Sequence, residues 1–266
     1  MKWVTDTTGR FQWRPSYRPE ELDYECERIV SSFLLDKYGA ICFPLSTDDL
    51  SIMIERDTTD LDLYADLSGE GEDIEGLTDF FSNKKPTVKI SRELSLDEAR
   101  TRRLRTTLAH EYGHVKFHSF LWDIAFKSEK TENFWKTISR QRRRFEVIRK
   151  KSALQSDIKN PPPLLPEKSF FTDAAQSLGP RCKHSRILDA PAADWMEWQA
   201  AYIGGAFLMP VSPVRRFMQE KIREHGDDWI LVDTELSGKL TAGVAALFDV
   251  SADAARVRLS ILGFLK

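Results

Sequence analysis

The strongest constraint on this chain is a five-residue run, His110-Glu111-Tyr112-Gly113-His114, inside a proline-free stretch from Ser95 to about Ala125. Helix-compatible residues fill that stretch, and Ser95 with Glu98 makes the capping-box signature of a helix start. On a helix, residues four apart share a face about 6 Å apart along the axis, so both imidazoles can reach one ion. Glu111 lies about 60° around the helix from His114, near such an ion but free to handle protons. Leu104, Leu108, Val115 and Phe117 supply apolar neighbours. The run therefore predicts a helix that holds a cation, against the plainer reading of two helix-surface histidines with a solvated glutamate.

His118 continues the spacing, but in an unbroken helix it lies about 12 Å from His110 along the axis. Two ligands of one zinc lie within about 4 Å of each other, and Val115-Lys116-Phe117 offers no glycine at which to bend. His118 is expected to support a ligand or to be structural. A third ligand must come from elsewhere, and Glu197 is the candidate. It sits in a second helical segment, about Trp195 to Met209, ended by Pro210. The face carrying Ala201, Gly204, Gly205 and Leu208 is nearly bare and could pack closely on the histidine helix. Asp194 and Glu197 equally match a helix N-cap and its partner three residues on, so spacing leaves both readings open.

The length suits one large domain or one domain plus a small appendage. The chain's 266 residues are 41% hydrophobic and 30% charged, ordinary for a globular protein. A net charge of −2 gives no global attraction to nucleic acid. Cys26, Cys42 and Cys182 are odd in number and far apart, which excludes a disulfide framework. Neither a secretory leader nor a run near the roughly 20 apolar residues of a membrane span is present, so a cytoplasmic location is expected.

Residues 1–19 read as an irregular lead-in. From Glu20 a helix is predicted, with Leu22, Cys26, Ile29, Val30, Phe33 and Leu34 inward and a stop at Gly39. Ser46 to Asp49 suit the cap of a helix through Ile54. Leu61–Tyr64 and Thr87–Ile90 are predicted strands, separated by acidic loops bearing Gly69, Gly71 and Gly76. Thr87–Ile90 is either an edge for an extended substrate or an ordinary sheet edge. The basic run Arg140–Arg144 with Arg149–Lys151 reads first as a solvated helix face, second as a dock for an acidic protein or DNA. Cys182 and His184 are more often structural than metal-binding at this spacing, though a Cys182 thiolate could silence a metal site. The tail from Leu240 to Leu262 reads helix, turn (Asp249-Val250-Ser251), helix. Arg256 and Arg258 are a thin supply of phosphate contacts, so packing on the core is its expected role.

Thr107 to His118, and Glu197 to the closing Leu208-Met209-Pro210, resemble the two signatures of the ImmA/IrrE family of zinc-dependent metallopeptidases. The likeness extends to the N-terminal helix, to Pro86–Ile90 and to Leu247–Ser251, and covers most of residues 20–265. It implies a mainly helical α+β, zincin-like metallopeptidase domain with a small sheet and a C-terminal helix-turn-helix-like pair. The divisions are 1–19, then 20–235 with an insertion at about 127–189, then 236–266. The resemblance further implies one catalytic Zn2+ on His110, His114 and Glu197, with Glu111 as catalytic base. Tyr202, His184 and His118 are candidate oxyanion donors or supports for a ligand. Ala201 stands where the family usually carries Asn, so a polar support for the site must come from elsewhere. The implied activity is limited cleavage of a regulatory protein, typically a helix-turn-helix repressor in stress response or mobile-element control, with DNA contact not expected. The rival expectation is a DNA-binding or toxin–antitoxin regulator whose metal site is structural or vestigial. Glu111 favours the enzyme, because a structural site needs ligands but no base.

Overall fold

The computed structural model describes residues 1–71, 73–81, 84–126, 181–183, 194–225 and 235–265. The basic run at 140–151 and His184 lie outside the described residues. The architecture is mixed, helices around a small sheet, consistent with the α+β class. Among the described residues no helix is long and apolar enough to cross a membrane.

The lead-in is not irregular. Strands β1 (Lys2–Thr5) and β2 (Trp13–Ser16) pair antiparallel. Between them the Asp6 carboxylate accepts the amides of Thr8 and Phe11 at 2.9 Å each, and Trp195 Nε1 at 2.9 Å. Phe11 then buries with Phe120, Trp122 and Trp195 in a separate aromatic cluster. Two four-residue strands, one holding Pro15, carry too little alternation to be seen without these distant partners.

Helix α1 (Pro19–Tyr38) buries Leu22, Cys26, Val30, Phe33 and Leu34 as its period requires. It ends at Gly39, whose φ of 69° is left-handed, where glycine has no Cβ penalty. Helix α2 (Thr47–Asp57) is capped by Ser46 Oγ, which accepts the Asp49 amide at 3.0 Å, and runs slightly past Ile54.

The larger sheet has strands β3 (Asp60–Ala65), β4 (Ile74–Asp79), β5 (Thr87–Ser91) and β6 (Arg181–Lys183), in the order β3-β5-β4-β6. β3 runs parallel to β5, while β4 is antiparallel to both β5 and β6. Two expectations change here. β5, which includes Thr87–Ile90, is flanked on both sides and has no edge to offer a substrate. Gly76 is not in a loop but in the middle of β4. Acidic and glycine residues give that segment low strand propensity, and pairing on both sides overrides it.

The histidine-bearing stretch is also not one helix from Ser95. Helix α3 (Arg92–Leu96) and a 3-10 turn (Glu98–Arg100) precede helix α4 (Thr101–Phe117). Asp97, not Ser95, supplies the local cap, accepting the Ala99 amide at 3.0 Å; such side-chain bonds compete with helix continuation. α4 ends at His118, and α5 (Ser119–Phe126) restarts the helix beyond it.

Helix α6 (Trp195–Leu208) crosses α4 at very close range. A Cβ on Gly204 would stand 3.2 Å from the His110 backbone nitrogen, and one on Gly113 would stand 3.4 Å from the Ala200 Cα. The bare contact face therefore includes Gly204, as expected, with Ala200 beside it rather than Ala201. Gly205 faces Arg258 instead.

Helices α7 (Val211–His225), α8 (Glu235–Phe248) and α9 (Ala252–Ile261) complete the fold. Leu240, Val244, Phe248, Ala255 and Leu259 belong to the same core cluster as α1, α4 and α6, so the tail shares the main core. Arg258 is buried: its guanidinium donates to Asp23 Oδ1 at 2.7 Å and to the Met209 carbonyl at 3.1 Å. Arg256 pairs with Asp253 on the surface.

Candidate metal centre

α4 and α6 bring three donors together in the buried seam between them. His110 Nε2 lies 3.2 Å from His114 Nε2 and 3.1 Å from Glu197 Oε2, and His114 Nε2 lies 3.5 Å from Glu197 Oε1. Each side chain is essentially inaccessible. Tetrahedral donors about 2.0–2.2 Å from one zinc stand about 3.4 Å apart, so these separations fit a shared cation. No other group of three or more His, Cys, Asp or Glu among the described residues meets the same spacing.

Both readings of Glu197 hold at once. Asp194 Oδ1 accepts the Glu197 amide at 3.5 Å as a loose N-cap, while the Glu197 carboxylate turns to the imidazoles. A cap uses the backbone of the third residue, which leaves its side chain free for other work.

Charge suits a cation. Burial pushes the His114 pKa down from 6.5, because the imidazolium is the form that loses solvation, and this outweighs the pull of Glu197. Burial alone would raise Glu197, but electrostatic attraction to His114, with hydrogen bonds from both imidazoles, holds its carboxyl well below the carboxylate range. The cluster is a carboxylate with two imidazole nitrogens, the combination of donors that binds Zn2+.

His118 sits behind the site rather than in it. Gln199 Nε2 donates to the Pro15 carbonyl at 3.1 Å, which turns Gln199 Oε1 toward His118 Nε2 at 3.1 Å. His118 Nε2 must then be the donor, leaving Nδ1 to accept from His114 Nδ1–H at 2.9 Å. The chain of bonds places the proton of His114 on Nδ1 and its Nε2 lone pair in the site. Burial pushes the His118 pKa well down, which keeps Nδ1 available as an acceptor. His118→Ala and Gln199→Leu are each expected to weaken zinc binding about 10–100-fold. Competition with a chelator checks this, and unchanged affinity in both variants removes the role.

Glu111, which follows His110 on α4, is buried and is not one of the cluster's donors. Thr78 Oγ1, on β4, donates to Glu111 Oε2 at 2.5 Å. On the same strand a Cβ at Gly76 would stand 2.5 Å from Glu111 Oε1, so the carboxylate occupies the space a side chain would fill. Gly76, Thr78 and Gln199 escaped the reading of the sequence. None carries a local signal, since each is defined by a partner more than 30 residues away or on another element.

Tyr202 is not at the site. Its hydroxyl donates to Asp23 Oδ2 at 3.0 Å, and burial with the Asp23 charge raises its pKa. No known family model matches the chain, and no curated protein matches it either.

Proposed function

We propose that the chain is a cytoplasmic zinc metallopeptidase of zincin-like fold, making limited cuts in a regulatory protein. The observation that carries this reading is the buried Glu111 carboxylate, held by Thr78 beside a His-His-Glu donor set to which it does not belong. A structural metal site has no use for such a group. The substrate class, a helix-turn-helix repressor, rests on the resemblance of the two signature helices to the ImmA/IrrE family.

His110, His114 and Glu197 would hold the ion. When bound, Zn2+ supplies Lewis acidity toward a peptide carbonyl and acidifies a water toward about pH 7. Thr78 anchors Glu111 Oε2, and Oε1 is the atom that takes the proton of the attacking water. Glu111 then returns that proton to the departing amine nitrogen. The seam between α4 and α6 excludes bulk solvent from the three donors.

The rival DNA-binding reading draws on α8 and α9 as a helix-turn-helix-like pair. Arg258, one of its two basic contacts, is buried against Asp23 and faces the core.

Glu111→Gln is expected to retain one zinc per chain while losing cleavage of a cognate repressor by about 10²–10⁴-fold. Metal analysis and gel-resolved proteolysis of a repressor encoded beside this chain measure both; full activity in the variant refutes the mechanism. Gly76→Ala tests the positioning of the base. The added methyl would stand 2.5 Å from Glu111 Oε1 and 2.9 Å from Cγ2 of the buried Thr107, so it must displace both, and a thermal melt accompanies the activity measurement. An activity loss of about tenfold or more is expected with zinc affinity unchanged. Parent-like turnover would show that the close approach is idle.

A further inference from the structure

β4 is the strand that carries both residues on Glu111, Gly76 and Thr78. One of its edges is taken by β5. The other is held by β6, a three-residue strand from the segment between the two ligand-bearing helices. Its backbone runs antiparallel to β4, with Lys183 opposite Ile74, Cys182 opposite Gly76 and Arg181 opposite Leu77. β6 also lies against α4, the helix of Glu111 and the two histidines. The residue opposite Cys182 is thus the glycine that abuts the carboxylate.

An extended peptide binds a sheet by adding a strand to an edge, through main-chain hydrogen bonds that any sequence can make. Among the described strands, β4 offers the edge next to Glu111. We propose that this edge is the peptide-docking surface of the protein, and that residues 181–183 occupy it as an internal stand-in for substrate. The inference rests on the peptidase reading of the site and adds its regulation. The chain restrains itself until a protein partner with an extended segment displaces β6. A tethered strand competes at high effective concentration, yet a three-residue ladder is short enough to exchange.

Two variants open the edge while leaving the donors and Glu111 in place. Cys182→Pro with Lys183→Pro removes an amide donor whichever of the two faces β4. Arg181→Gly, Cys182→Ser and Lys183→Gly together keep the chain length while lowering strand preference. In a Glu111→Gln background, a fluorescein-labelled peptide of residues 178–186 reports occupancy by anisotropy. It is expected to bind both opened variants about tenfold or more tighter than the parent. With Glu111 restored and zinc loaded, the opened variants are expected to cut reduced casein faster than the parent by a similar factor. Equal peptide affinity in parent and variants, absence of peptide binding, or measurable casein cleavage at the same rate in parent and variants overturns the inference. Tighter peptide binding with no cleavage by any form leaves the docking edge standing and refutes the peptidase reading instead.

Discussion

Glu197→Ala is expected to leave the protein without metal at zinc concentrations that saturate the parent. The donor set holds one carboxylate, and it lies 3.1 and 3.5 Å from the two imidazole nitrogens that share the ion. Removing it takes the anionic ligand from a dication in a buried seam. Breaking a buried charge pair from one side costs about 3–5 kcal/mol, so affinity should fall on the order of 10²–10⁴-fold. The metal-free protein should not lose comparable stability, because the same change relieves it of a buried carboxylate. Zinc competition titration and thermal melts of the apo form separate the two effects. An unaltered zinc affinity would remove Glu197 from the ligand set. The parent's pH profile is a second check. His114 is held below its ordinary value by burial, so its neutral, ligating form persists as pH falls through 6.5. His114 should therefore cost the site no zinc affinity across that range, where a solvated histidine would already be losing metal, and an NMR titration of its ring in the metal-free protein checks this.

The second large effect is on the fold. Arg258→Ala is expected to destabilise the protein by about 3–5 kcal/mol. Its side chain is 2% exposed and ties α9 to α1 through Asp23, which is itself 10% exposed, and to the end of α6 through the Met209 carbonyl. Alanine leaves the Asp23 charge buried with only Tyr202 to hydrogen-bond it, and an unmet carbonyl beside a cavity. Denaturant unfolding measures the loss. Adding Asp23→Leu to Arg258→Met should recover much of it, since an apolar pair of similar volume avoids the desolvation of both ions. A cost below about 1 kcal/mol for Arg258→Ala would mean the pair is not a lock.

Much of the donor set was legible because it is written locally. His110 and His114 are one helical turn apart, and a turn of helix is dictated by neighbouring residues. The periodicities of α1 and α6, and the Ser46 and Gly39 caps, are of the same kind. β4 was illegible for the opposite reason. Its glycine and acidic residues argue against a strand, and the register with β5 and β6 that makes it one depends on chain segments far away. The lead-in hairpin is similar, since Asp6 needs Trp195 from α6 to organise it.

The short-range pattern alone determined that α1, α2 and α6 are helical and that His110 and His114 lie one turn apart on α4 with Glu111 beside them, because rise and turn per residue settle this. Only the tertiary structure decided that Glu197 completes the cluster, that Gly204 rather than Gly205 admits α4, and that Gln199 and His118 set the proton of His114. It alone placed Glu111 between Thr78 and the bare Cβ position of Gly76. Those relations depend on how closely two backbones approach, and approach is set by packing across the core rather than by any residue's neighbours in the chain.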